Sequence, residues 1–257
     1  MFPYLVQGSN IVVVIDNQPH TISSAHISYE NVKQAIKDQD WEAVRKLAEP
    51  AKAIQNYADG KVEIRDGQFF WEGEVMHGVL ANKIVTMFKE GFSIDPLIAF
   101  VKNLQSNPSS RAVNELYSFL EAGNMPITSD GHFLAYKKVR DDYKDVYSGT
   151  IYNRVGDVVE MARNKVNDNS AETCSHGLHF CSMGYLSHFG GERIVILKIN
   201  PRDVVSIPAD YNDTKGRCCR YEVIGEVTTK DNGYKSAFSK SVQDNAVGNI
   251  AAAPVKT

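Results

Sequence analysis

Ile194-Val195-Ile196-Leu197-Lys198-Ile199 is the stretch that decides the fold. It is apolar except for Lys198, dense in β-branched residues and too short for a helix. It therefore reads as a buried strand. A buried strand needs neighbours, and the flanking sequence offers them. Phe133-Leu134-Ala135-Tyr136 lies upstream; Val204 to Ile207 and Tyr221 to Val227 lie downstream. Strands separated by short helical stretches predict an α+β region with a mixed sheet over 127–230.

Working back toward the N-terminus, residues 79 to 123 read as three helices. Val79, Leu80, Ile84, Met87 and Phe88 share one helical face. Asp95-Pro96 opens the second helix, with Leu97, Val101 and Leu104 apolar. Ser109 to Glu121 forms the third, stopped by Gly123. Residues 61 to 80 predict a β-meander with turns at Asp66-Gly67 and Glu72-Gly73. Before it, Ile11 to Ile15 and His20-Thr21-Ile22 predict a hairpin about a turn at 16–19. Two short helices are expected next. Ser28 caps the first, which carries Val32, Ile36 and Trp41 on one side, and the second follows Asp40. The expected organisation is an N-terminal hairpin, meander and helical region over 1–126, an α+β domain over 127–230 and a tail over 231–257. The tail is rich in Asn, Ser, Ala and Lys and is expected to be exposed or bound to a partner.

Composition narrows the class. The chain has 257 residues, 43% apolar and 23% charged, which fits a folded globular protein. Its net charge of −3 lacks the basic excess of a dedicated DNA-binding protein. No apolar run approaches the ~20 residues that span a bilayer, and Met1-Phe2-Pro3 does not open a secretory signal. Four cysteines in a chain of this length are not a disulfide framework, so a reducing cytoplasm is expected. There is no Walker loop, no G-x-S-x-G elbow and no H-E-x-x-H.

The densest group of reactive side chains is Cys174-Ser175-His176-Gly177-Leu178-His179-Phe180-Cys181. Cys174, His176, His179 and Cys181 are all zinc-ligand types, although C-x-H-x-x-H-x-C matches no common zinc module. The competing reading is a Gly177 turn into a half-buried strand, with Leu178 and Phe180 on one face and His179 and Cys181 on the other. The same segment also resembles the central strand of ADP-ribosyltransferase-type folds. That resemblance implies a polar group at Tyr136, His179 beside the nicotinamide and a catalytic carboxylate at Glu222. Such a carboxylate would stabilise an oxocarbenium-like transition state. Lys137, Arg140 and Arg217 are candidates for a basic rim around a phosphate-bearing ligand. No cofactor is expected outright; zinc and an NAD-derived ligand are the alternatives these clusters leave open.

Three blocks carry a family likeness. The first runs from Asn107-Pro108-Ser109 through Gly131-His132-Phe133-Leu134-Ala135-Tyr136-Lys137-Lys138-Val139-Arg140. The second runs from Val166-Asn167-Asp168 through Thr173 to Ser182. The third runs from Pro201-Arg202-Asp203-Val204-Val205-Ser206-Ile207-Pro208 through Asp210-Tyr211-Asn212-Asp213 to Cys219-Arg220-Tyr221-Glu222-Val223. In this order and spacing they resemble the rIIB family of T-even-type bacteriophages. The resemblance implies an early accessory protein of a phage. It would act with a companion rIIA-like protein or a host factor in lysis timing and protection against prophage-mediated exclusion. It also implies a place in the host cytoplasm. Peripheral association with the inner membrane and homo-oligomers stay open, and no nucleic-acid partner is expected. The helix-turn-helix-like extension of T-even members is not matched by this chain, so no DNA-binding role is carried over from it.

Overall fold

A computed structural model describes residues 1–24, 28–49, 61–65, 68–76, 78–89, 92, 94–208 and 215–227. The Asp66-Gly67 turn, the Asp210 to Asp213 string and the tail lie outside the described residues. Two compact units divide between Asp95 and Pro96. This is earlier than the boundary expected near residue 126. The last two helices of the N-terminal series group with the C-terminal sheet, because their apolar faces pack on it.

The first unit begins with an antiparallel meander of β1 (Tyr4–Gln7), β2 (Asn10–Ile15) and β3 (Gln18–Ser23). The β2–β3 connection is only two residues long. Asp16 and Asn17 both adopt positive φ, the geometry that matches the twist of the flanking strands, so pairing resumes at Gln18. Period-two alternation puts Ile11, Val13 and Ile15 on one face. There they meet Val32 and Ile36 of α1 (Tyr29–Lys37) and Val44 of α2 (Trp41–Ala48). Trp41 starts the second helix instead of completing the first. The chain reverses at Gln39, with positive φ, and Asp40 then accepts from the Ala43 N–H at 3.0 Å as N-cap. A second meander follows as β4 (Val62–Arg65), β5 (Gln68–Trp71) and β6 (Glu74–Val75), and then α3 (Gly78–Lys89).

The second unit is built on a sheet of seven described strands. In chain order these are β7 (Phe133–Val139), β8 (Val158–Glu160), β9 (Leu178–Cys181), β10 (Arg193–Ile199), β11 (Val204–Ser206), β12 (Lys215–Cys218) and β13 (Arg220–Val227). Their spatial order is β11-β12-β9-β7-β10-β13-β8. The α+β class is as expected, but every pairing among these strands is antiparallel where a mixed sheet was expected. Loops and 3₁₀ turns join the strands, and parallel neighbours would need long crossover connections. The deciding stretch is β10, held between β7 and β13. β8 and β12 gave no clear sequence signal: one is three residues long, and the other, Lys-Gly-Arg-Cys, carries two cations.

One face of the sheet packs on α4 (Asp95–Gln105) and α5 (Ser110–Ala122). Phe180 is the joint: its ring lies 5.9 Å from Phe119 of α5 and 5.5 Å from Phe133. Beneath it, a Cβ on Gly216 would come within 2.3 Å of the ring, so glycine there is a packing requirement. At the turn into β7, Gly131 combines φ +73° with a Cβ position 2.3 Å from the Ala99 main chain, which lets the turn press onto α4. In α5 the Tyr117 hydroxyl is buried with no hydrogen-bond partner among the described residues, and burial raises its pKa.

Two stability outcomes follow. Gly216→Ala forces the Phe180 ring to move and is expected to cost ~1–3 kcal/mol. Tyr117→Phe removes a desolvated hydroxyl that gains nothing from burial and is expected to be neutral or stabilising by up to ~1 kcal/mol. Urea midpoints at unchanged m-value check both.

Candidate functional site

Of the residues singled out from sequence, Tyr136, Lys137, His179, Cys181 and Arg217 lie around a fork in the sheet between β7 and β9. These two strands share the single pair Tyr136 and Cys181. The Cys181 thiol donates to the Tyr136 carbonyl at 3.3 Å, and burial pushes its pKa up to about 12. A thiol so placed is a core group and not a nucleophile. Beyond this pair, Lys137 fills the gap: its ammonium donates to the His179 carbonyl at 3.1 Å and stands 5.9 Å from the Tyr221 ring. Burial lowers its pKa. It holds the fork together through a main-chain acceptor instead of a carboxylate.

His179 and Arg217 are register partners on the face opposite Phe180, as strand alternation required. Arg217 is fully buried. Its guanidinium donates to the carbonyls of Glu172 and Asn169, each at 2.6 Å, and to Ser206 Oγ at 3.0 Å. It therefore ties the 167–176 loop to the sheet. The His179 Nε2 atom is buried with no hydrogen-bond partner among the described residues. Burial, and then the charges of Lys137, Arg217, Lys215 and His176, brings its pKa down to about 4. The ring is neutral at pH 7.

The four candidate metal ligands are not brought together. Among the described residues no group of three or more His, Cys, Asp or Glu side chains is placed to hold a metal ion. Cys174 is exposed on the loop, and the His176 Nδ1–H donates to the Lys165 carbonyl at 2.7 Å. Cys181 faces Tyr136 instead. The nucleotide trio is also dispersed. Tyr136 pairs with Ile196 across β10, whereas Glu222 pairs with Lys198, and β10 stands between β7 and β13. His179 lies on the other side of the Tyr136 row from Glu222, and Glu222 is exposed. Three inter-strand spacings of ~4.8 Å separate β9 from β13, too far for one nicotinamide-sized cleft. The basic rim likewise splits. Arg140 is remote from Arg217: it donates to the Val146 carbonyl at 2.9 Å, and its guanidinium lies against Gly149.

Two polar elements were missed from sequence. Asn107 is buried between α4 and α5, and its Nδ2 donates to the carbonyls of Pro201 and Val204, both at 2.8 Å. Its Oδ1 accepts from Arg163 at 2.8 Å, and Arg163 also donates to the Val204 carbonyl at 2.9 Å. The edge strand β11 is sealed by side chains in this way. The buried Asn153 accepts from the Tyr221 hydroxyl and donates to the Ile151 carbonyl at 2.9 Å. Asn107 stands at the start of the first family block, which was its one visible signal.

The fold and this cluster define an α+β protein whose buried cations organise loops on an antiparallel sheet. Comparison with known proteins then places it. The family model described as "Bacteriophage T4 protein rIIB" matches residues 4–250. "Protein rIIB" of Enterobacteria phage T4 is 38% identical over 221 residues, covering 85% of this chain and 71% of that protein. The chain belongs to the phage rIIB family. No solved structure matches it.

His179 makes stability depend on pH in a defined window. Its unfolded imidazole takes a proton near the ordinary value of 6.5, whereas the folded ring does so only near 4. The unfolded state binds more protons between these values, so stability is full above pH 6.5 and falls toward pH 4, by on the order of 2 kcal/mol. Asp130 and Asp145 are held at about 2. Burial opposes ionisation at both, but Lys198 and Thr128 at the first, and Ser148 with the Ile151, Ser148 and Thr150 N–H groups at the second, outweigh it. Their contribution is lost only as pH falls from 3.8 through 2. Urea midpoints at pH 7, 5 and 4 should therefore drop in the native chain and drop less in His179→Gln.

Proposed function

We propose that the chain acts by protein interaction during infection, binding a companion rIIA-like phage protein or a host factor, and that this binding sets lysis timing and protects against prophage-mediated exclusion. The observation that carries the reading is the family match along residues 4–250, with 38% identity to the T4 protein over most of both chains. The geometry favours it over catalysis on a nucleotide, since Tyr136, His179 and Glu222 sit in different rows and on strands that are not all neighbours. The proposed location is the host cytoplasm, with any membrane association peripheral. No helix among the described residues is long and apolar enough to cross a membrane.

Tagged chain recovered from infected cells should bring down a phage or host partner in near-stoichiometric amount; recovery of the chain alone would overturn the proposal. In a phage lacking its own rIIB function, supplying this chain should restore growth on an excluding lysogen. Glu222→Gln should restore it equally well. Loss of rescue by that variant, with unchanged folding, would shift the assignment to chemistry at the carboxylate.

A further inference from the structure

Tyr4-Leu5-Val6-Gln7 is an uncharged, mostly apolar strand, β1, at the rim of the first meander. Its apolar side chains stand in solvent: Tyr4, Leu5 and Val6 are 45%, 57% and 49% exposed. The Val14 N–H donates to the Pro3 carbonyl at 2.8 Å, and the register pairs Leu5 with Val12 and Gln7 with Asn10. Antiparallel alternation therefore points the main chain of Leu5 and Gln7 at β2, and that of Tyr4 and Val6 away from it. Among the described residues no hydrogen bond reaches these outward groups. Edge strands are ordinarily protected from further pairing by a charge, a proline or a bulge. β1 has no charge, Pro3 precedes it, and its register with β2 runs without a bulge. Beside it, Arg45 lies 5.1 Å from the Phe2 ring, but its charge is already answered by Asp16 at 2.7 Å and Glu49 at 3.1 Å.

We propose that β1 is a self-association edge: it pairs antiparallel with β1 of a second copy of this chain, joining the two meanders into one continuous sheet. The strand is self-complementary in one register. With Leu5 on the two-fold axis, Tyr4 lies opposite the partner's Val6 and Val6 opposite the partner's Tyr4. Every outward N–H and C=O of both residues is then bonded across the axis. The side chains match as well. Tyr4 and Val6 share the face of Ile11 and Val13, so each Tyr-Val pair extends an apolar row, and Tyr4 is backed by the Trp41 ring at 6.1 Å. On the other face Leu5 meets the partner's Leu5. No like charges are brought together, because the strand has none. Met1, Phe2, Pro3 and Tyr4 line an open pocket at the start of the strand. The same register carries the partner's Gly8-Ser9 turn toward it. A four-residue pairing with its flanking turns makes a small interface, so the dimer is expected to depend on concentration. This assignment does not depend on which other partner the protein binds.

The test uses the full chain. Sedimentation should show a monomer passing to a dimer as concentration rises, and Leu5→Glu, which sets two carboxylates against each other on the axis, should hold it as a monomer. Amide exchange at high concentration should be slow at Tyr4 and Val6 in the native chain and fast in Leu5→Glu, while the Gln7 amide, bonded to β2, stays protected in both as the folding control. A cross-link reads the register without that variant. In a Cys174→Ser background, Leu5→Cys should form a covalent dimer under air oxidation, since facing residues of a pair that is not hydrogen-bonded sit about 4.5 Å apart at Cα, within disulfide reach. Gln7→Cys, on the same strand face but far from its own copy in this register, should not. The proposal is overturned if the native chain sediments as a monomer up to its solubility limit, if Leu5→Glu leaves the dimer intact, or if Gln7→Cys cross-links as readily as Leu5→Cys.

Discussion

Ile196 and Leu197 are adjacent in β10, point to opposite faces of the sheet and are both fully buried. The second unit is organised by that requirement. A strand apolar on both sides forces a layer above and a layer below, and fully burying each such side chain is worth roughly 1.5–3 kcal/mol. On one side the requirement is met by α4 and α5, joined to the sheet through Phe119, Phe180 and Phe133. On the other side Ile196 is buried in a cluster with Tyr185 and Leu186 of the 3₁₀ turn, and its strand neighbour Ile194 is half-buried against the same cluster. The asymmetry also explains the glycine opposite Phe180: the ring can fill the joint with α5 only because Gly216 presents no side chain beneath it.

The two sheet edges are handled differently. At β11 the Val204 carbonyl, which a third strand could otherwise address, accepts from both Asn107 and Arg163. This is edge protection by buried side-chain amide and guanidinium groups, and it also locks the α4–α5 connection onto the sheet. At β8 the main chain is bonded to β13 around Asp157 and Met161, through Val223 N–H to the Asp157 carbonyl and Met161 N–H to the Cys219 carbonyl. Strand alternation then turns the peptide groups of Val158 and Glu160 outward. Among the described residues that edge is defended by its three-residue length and by the charge of Glu160, paired with Arg220 at 3.2 Å.

Much of this fold was legible in the sequence, for identifiable reasons. β10 and β7 showed because both faces of each are apolar, and the helices of 78–122 showed because their apolar spacing is regular. The Asp16-Asn17 reversal showed as turn chemistry, though its two-residue length depended on both residues taking positive φ. β12 stayed hidden because Lys215 and Arg217, the residues that a pattern search counts as solvent-facing, are both buried there. Their burial depends on acceptors distant in sequence, the carbonyls of Asn169 and Glu172 for Arg217, which no local window contains. The candidate site was legible as a set of residues but not as an arrangement. The alternation of His179 and Cys181 against Leu178 and Phe180 was correct, yet spacing could not reveal that Glu222 lies two strands beyond Tyr136.

The reactive-looking residues of the fork therefore have a common structural logic. Each of Lys137, Arg217 and His176 donates to a main-chain carbonyl, and each such bond fixes a segment without regular pairing of its own: the open side of β9, the 167–176 loop and the Lys165 turn. Burial, and after it the charges of Lys137 and Arg217, brings the pKa of the neighbouring His179 down to about 4. Such ties depend on the shape of the side chain as well as on its charge. Arg217 illustrates the point: its two carbonyl bonds and its bond to Ser206 diverge from one planar fork, so a lysine there would keep the charge but could not span all three acceptors.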